Sequence, residues 1–190
     1  SRGLRAYRRA RRGWRQSVYA LRRGLTLPFN GCCTWDDGRL WRRTVVAREE
    51  EPGGLEQWLN DGLESVEEKE RKLACAVAEW HRKGLYHGNL RVETMSPAGQ
   101  DGICFGGLGC GFRMEWLPAS VRLLLRSKDM ASLLQDMTGD AGGRRARGML
   151  RCYCEEMEDP ASTERILRYA VSVIATSGRN TIISFFFGEE

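Results

Sequence analysis

The fold is decided by Trp80-His-Arg-Lys-Gly-Leu-Tyr-His-Gly-Asn-Leu90 and by a shorter stretch that follows it, Ile103-Cys-Phe-Gly106. The first stretch predicts the end of a helix, a stop at Gly84, a short apolar strand and a polar loop. The second stretch follows a turn predicted at residues 96–102, and it predicts another short apolar strand that ends in glycines. We therefore expect a helix, a polar loop and two short strands to lie close together.

Outward from this stretch, most of the chain is predicted to be helical. Apolar residues at helical spacing, with stop signals at Gly and Pro, predict helices at 1–24, 55–59, 65–83, 117–137, 144–157 and 163–175. Strands are predicted at 31–35, 39–48, 85–87 and 103–105. Asp36-Asp37-Gly38 predicts a hairpin turn between the first two strands, and the many glycines of residues 106–111 predict irregular structure.

Apolar positions in two of these helices predict which faces are buried. In the helix at 65–83 the buried stripe is predicted at Val66, Leu73, Val77 and Trp80, after a capping box that pairs Ser65 with Glu68. In the helix at 117–137 the core positions are predicted from the same periodicity: Val121, Leu124, Leu125, Met130, Leu133 and Leu134.

Length and composition indicate a folded protein of one domain or slightly more. The chain has 190 residues, 42% of them hydrophobic and 29% charged, which is ordinary for a globular protein. Its seven Cys are an odd number, which favours reduced thiols over a disulfide framework. We find no apolar run long enough to span a membrane and no signal-peptide pattern. A cytoplasmic location is therefore expected, and the inner face of the inner membrane is a second expectation.

Positive charge is concentrated at the start of the chain. The formal net charge is +5, and the segment Arg2–Arg23 is rich in arginine with no acidic residue before Asp36. The simplest interpretation is an amphipathic helix with a solvated basic face. The alternative is a surface for an anionic partner, such as lipopolysaccharide, its lipid A part or an acidic membrane. We do not expect a nucleic acid.

The loop also resembles a known family. His87, Gly88, Leu90, Phe105 and Gly106 match the pattern H-[RG]-D-L-x-x-x-N and D-F-[GD] of kinase-like folds. With the later helix Lys128-Asp-Met-Ala-Ser-Leu-Leu134, the order of motifs over residues 5–160 resembles the bacterial lipopolysaccharide-core sugar kinases, the Kdo and heptose kinases. The resemblance implies an α+β, protein-kinase-like fold with a mostly helical C-terminal lobe at 52–190. Residues 1–51 would form a truncated N-terminal lobe of one helix and short antiparallel strands.

Roles follow from the resemblance, position by position. His87 would be the structural histidine of the loop, and Asp129 would brace the loop. Asn89 would stand at the position of the catalytic base. The positions implied for the adenine hinge are Glu49, Glu50 and Glu51, and those implied for the metal ligands are Thr94 and Cys104. His81, late on its helix, is expected at the surface or in packing.

The residues at the reactive positions do not suit phosphoryl transfer. Asn89 is a neutral amide that cannot act as a base near neutral pH. Cys104 is a soft ligand that does not suit magnesium, and Thr94 offers one weak oxygen. The chain also contains neither the Gly-rich loop nor the phosphate-binding Lys that kinases use. Two nearby carboxylates, Glu93 and Asp101, are the alternative candidates for the missing acidic groups.

Three functions remain open from the sequence. The first is a catalytically impaired member of the lipopolysaccharide-kinase-like family, with no cofactor, that binds or regulates an active kinase of the same pathway. The second is an active, divergent sugar kinase that uses ATP and magnesium. The third is a basic adaptor that binds anionic lipid or membrane through Arg2–Arg23.

Overall fold

The computed structural model describes residues 2–25, 27, 31–36, 42–47, 54–62, 64–98, 102–137, 142–157, 161, 164–169 and 172. Within them, the α-helices are α1 (Arg2–Arg22), α2 (Leu55–Asn60), α3 (Val66–Arg82), α4 (Ala119–Asp136) and α5 (Gly142–Glu156). The strands are β1 (Gly31–Asp36), β2 (Arg42–Ala47), β3 (Leu85–Tyr86), β4 (Met95–Ala98), β5 (Gly102–Phe105) and β6 (Phe112–Arg113). Two short 3₁₀ helices span Val92–Thr94 and Leu108–Cys110. The predicted mostly helical α+β class is confirmed for these residues.

The strands pair as three small antiparallel sheets, β1 with β2, β3 with β6, and β4 with β5. The turn predicted over residues 96–102 was too long, because residues 96–98 belong to β4 and Gly102 belongs to β5, its antiparallel partner. Residues 99–101 lie outside the described residues. Residues 106–111 were predicted to be irregular, yet Leu108–Cys110 forms a 3₁₀ turn that leads into β6. Both differences concern short strands, whose stability comes from the partner strand and the surrounding packing more than from a local sequence signal.

Helix α3 is the central element of the core. Its side chains Leu73, Val77 and Trp80 are fully buried, as predicted. The N–H of Glu68 donates to Oγ of Ser65 at 3.2 Å, which satisfies one of the unpaired donors of the first turn. Val66, predicted to be buried, is 37% exposed because it is the first residue of the helix and lies at the edge of the core.

Helix α4 contributes to the core with its C-terminal half. Met130, Leu133 and Leu134 are fully buried, as predicted. Val121 and Leu124 were also predicted to be buried, but they are 37% and 49% exposed. The first turns of α4 therefore extend beyond the core, and their apolar pattern has no packing partner among the described residues that would bury it.

Several predictions fall outside the described residues. These are the tip of the predicted hairpin after Asp36, the proposed hinge at residues 49–51, and part of the helix at 163–175, of which residues 164–169 are helical. The division into lobes at residues 51 and 52 stays a prediction. In the part of the chain that the structure describes, the helices are too short or too polar to cross a bilayer.

Candidate functional site

The loop between β3 and β4 is held from one side by the carboxylate of Asp129 on α4. Its Oδ2 accepts the backbone N–H of His87 at 2.7 Å, and its Oδ1 accepts the N–H of Gly88 at 2.9 Å. The Asp129 side chain is 1% exposed. Hydrogen bonds to a buried charged acceptor are stronger than neutral ones, so one carboxylate sets the backbone direction at the start of the loop.

Gly88 allows the loop to turn at this point. Its φ is +75°, and a Cβ atom there would lie 2.9 Å from the carbonyl oxygen of Cys110. Residues with a side chain rarely adopt this conformation, and the neighbouring carbonyl leaves no room for one. The glycine is therefore required both by the turn and by the close approach of the segment that carries Cys110.

The imidazole of His87 connects the loop to the end of β5. Its Nε2–H donates to the carbonyl of Gly106 at 2.7 Å, and the Gly106 N–H donates to the carbonyl of Thr94 at 2.7 Å. The ring packs beside Trp80 and Phe105, whose own ring centroids are 4.6 Å apart. Burial lowers the pKa of His87, although the charge of Asp129 acts in the opposite direction. The histidine is thus a neutral structural link between two loops.

Thr94 and Asn89 lie together at the centre of the loop. The Thr94 hydroxyl accepts the N–H of Arg91 at 3.0 Å, and it lies 3.1 Å from the carbonyl of Asn89 and 2.9 Å from that of Arg91. The hydroxyl has a single proton to share between those two carbonyls. Thr94 is 9% exposed. Its oxygen is therefore used within the loop, and the half-buried Asn89 brings a neutral amide to the same part of the loop.

Cys104 lies on β5 and is 6% exposed. Burial raises the pKa of its thiol, which favours the neutral thiol near neutral pH. Within the described residues, no group of three or more His, Cys, Asp or Glu side chains is placed to hold a metal. Of the two alternative carboxylates, Glu93 is exposed and 4.0 Å from Arg91, and Asp101 lies outside the described residues.

His81, expected at the surface or in packing, is a fully buried member of a polar network. Its Nδ1 lies 2.7 Å from the hydroxyl of Tyr153 on α5, and its Nε2 lies 3.3 Å from Oδ2 of Asp129. Burial lowers the pKa of His81, against the opposing effect of Asp129. In the neutral ring, Nδ1 accepts from the tyrosine and Nε2–H donates to the carboxylate. The sequence did contain a signal for this burial, because His81 lies four residues after Val77 and therefore on the buried face of α3.

Comparisons with known proteins do not show a family for this chain. No protein-family model matches the sequence, and no curated protein matches it. One solved structure that resembles the chain is a divergent kinase lacking the glycine-rich loop, which regulates membrane ultrastructure of the Toxoplasma parasitophorous vacuole. The two are 16% identical with a TM-score of 0.44, over 94% of this chain and 64% of that one. At this TM-score and identity, no statement about the fold or the function of this chain rests on the likeness.

Proposed function

We propose that this chain is a kinase-like protein of impaired catalysis that acts as a binding or regulatory module. The proposal is based on the loop after β3. The hydrogen bonds that hold its backbone are present, but the residues at its base and metal positions do not suit phosphoryl transfer. Asp129 and His87 hold the backbone, whereas the hydroxyl of Thr94 is bonded within the loop. Phosphoryl transfer relies on positioned oxygen ligands and electrostatic stabilisation, and Asn89 and Cys104 offer neither a carboxylate nor a hard anionic ligand.

The pathway we propose is the phosphorylation of lipopolysaccharide-core sugars in a bacterial envelope, at the inner face of the inner membrane. Support for it comes from the ordered motifs that resemble the Kdo and heptose kinases, including the segment Lys128–Leu134 on α4. In this role the chain would need no cofactor and would bind an active kinase of the same pathway or its lipopolysaccharide substrate.

The second candidate is an active, divergent sugar kinase that uses ATP and magnesium. The specific observation in its favour is that Asp129 and His87 keep the loop in an ordered shape, which a protein without catalysis has less reason to retain. This candidate needs some oxygen ligands for magnesium to survive, and it therefore predicts that magnesium strengthens nucleotide binding.

Calorimetric titration of ATP, with and without magnesium, separates the two candidates. For an impaired protein we expect that magnesium does not strengthen the binding of ATP. We expect the same result for the variant Asn89→Asp. This variant restores a carboxylate at the base position but leaves Thr94 and Cys104 at the metal positions. Magnesium-enhanced binding by the natural sequence, together with phosphate transfer to core sugars that Asn89→Ala abolishes, would refute the proposal.

A further inference from the structure

Helix α1 and the segment 111–116 enclose a groove of about 1070 Å³. Its charged lining consists of arginines, and we call it the arginine groove after these residues: Arg8, Arg11, Arg12, Arg15, Arg22 and Arg113. All six side chains are exposed. The groove lies on α1 and on the segment 111–116, and Asn89 is not among its lining residues.

Helical spacing places four of these arginines in one row. Arg8, Arg11, Arg15 and Arg22 are separated by three, four and seven residues, which are the spacings of one helix face. At 1.5 Å per residue the row is about 21 Å long. A single phosphate occupies only part of such a row, so its length suits a ligand that presents several phosphates across a surface.

Among the residues that the structure describes, carboxylates do not neutralise the positive charge of the groove. Helix α1 contains no acidic residue. Glu115, in the segment 111–116, accepts hydrogen bonds from Arg23 at 2.5 Å and from the hydroxyl of Tyr19. Among the described residues, no carboxylate forms an ion pair with any of the six groove arginines. Such a concentration of one sign of charge raises the local concentration of anions.

The choice of arginine over lysine indicates phosphate. The segment 1–23 contains arginine as its basic residue throughout and no lysine. The guanidinium group presents a planar fork of donors that matches phosphate oxygens in pairs, whereas an ammonium group acts as a point charge. The groove therefore fits a surface that carries phosphate groups.

The aromatic residues of the groove favour a membrane over a nucleic acid. The ring of Tyr19 has Arg23 at 5.1 Å and Arg113 at 5.0 Å from its centroid, and Phe112 packs on Tyr86 at 4.9 Å. Single-stranded nucleic acids need successive open rings for base stacking, and these two rings are already engaged. Trp116 is 76% exposed and Trp14 also lines the groove, and indoles beside arginines are typical of a membrane interface.

We propose that the arginine groove binds the phosphate groups of an anionic phospholipid membrane, with Trp116 in the interfacial layer. Helix α1 lies along the surface in this arrangement, and the exposed Leu21 (46%) of the same helix is available for apolar contact. Binding is peripheral and electrostatic in origin, and so it weakens as salt rises.

Vesicle sedimentation with the full 190-residue chain tests the proposal. We expect binding to vesicles of phosphatidylcholine with phosphatidylserine, and little binding to phosphatidylcholine alone. The test variant replaces the row: Arg8→Gln, Arg11→Gln, Arg15→Gln and Arg22→Gln. Each arginine near an anionic surface contributes about fivefold to binding, so we expect a loss of several hundredfold.

A matched control changes the net charge equally on other surfaces. It combines exposed arginines outside the groove: Arg71→Gln, Arg91→Gln, Arg151→Gln and Arg165→Gln. We expect this control to lose far less than the groove variant, and Trp116→Ala to weaken vesicle binding without changing its salt dependence. Equal losses in the two arginine variants would overturn the proposal. So would salt-independent binding, or binding to a single-stranded RNA in the absence of any vesicle binding.

Discussion

Replacement of Asp129 is the most direct test of how the loop is supported. In Asp129→Ala the backbone N–H groups of His87 and Gly88 lose acceptors at 2.7 and 2.9 Å, and Nε2 of His81 loses a third contact at 3.3 Å. The site is 1% exposed, so water cannot readily replace the carboxylate. Each bond to a charged acceptor contributes about 1.5–3 kcal/mol, and we expect the free energy of unfolding to fall by about 3–5 kcal/mol.

Equilibrium unfolding in urea measures this loss, with circular dichroism of the helices as the signal. For a chain of this size the same loss corresponds to a decrease of about 6–20 °C in the melting temperature. Asp129→Asn should fall between the alanine variant and the natural sequence, because the amide keeps one acceptor oxygen but turns a donor toward the other N–H.

Asp136, on the same helix, is the matched control. Its carboxylate is exposed and accepts the N–H of Val92 at 3.3 Å, so Asp136→Ala should cost less than about 1 kcal/mol. If Asp129→Ala cost no more than the Asp136 variant, the carboxylate would not be the support of the loop, and the account of the site would be wrong.

Three further predictions concern the residues around this carboxylate. Gly88→Ala should destabilise the fold by about 1–3 kcal/mol, because φ is +75° and the new Cβ would meet the carbonyl of Cys110. Urea unfolding measures this loss, and an unchanged urea midpoint would show that the loop can move away from that carbonyl. Tyr153→Phe should cost about 1–3 kcal/mol, because Nδ1 of His81 loses its partner at 2.7 Å, and a neutral effect would contradict the hydrogen-bond assignment. Burial lowers the pKa of His81 and His87 below the ordinary 6.5. As the pH falls below that value, the unfolded chain therefore binds more protons than the folded chain. Stability should therefore decrease from pH 7 to pH 5.5, by at most about 1.4 kcal/mol per pH unit for each histidine; a slope that His87→Gln leaves unchanged would remove that residue from the explanation.

Elements with local signals were predicted from the sequence within a few residues. Helix α3 was predicted at 65–83 and spans Val66–Arg82, since its cap at Ser65, its apolar period and its stop at Gly84 are all local. Helix α4 was predicted at 117–137 and begins at Ala119 because Pro118 precedes the helix and occupies its N-cap. The polar loop after the strand at 85–87 was also predicted, whereas the turn at Gly88 was found only in the structure.

Strand pairing could not be predicted in the same way. The short segment Leu85–Tyr86 pairs with Phe112–Arg113, and Met95–Ala98 pairs with Gly102–Phe105. Strands of two to four residues have almost no periodicity, and their stability comes from the partner strand and the surrounding packing.

The sequence by itself determined the main helices, the polar loop after the strand at 85–87 and the excess of arginine on α1, because spacing, caps and charge are properties of neighbouring residues. Only the tertiary structure decided that His81 is buried against Tyr153 and Asp129, and that Leu124 stays exposed. It also decided that the arginines of α1 share a groove with Arg113 and Trp116. Burial and hydrogen-bond partners depend on residues that are far apart in the chain, and only packing brings these together.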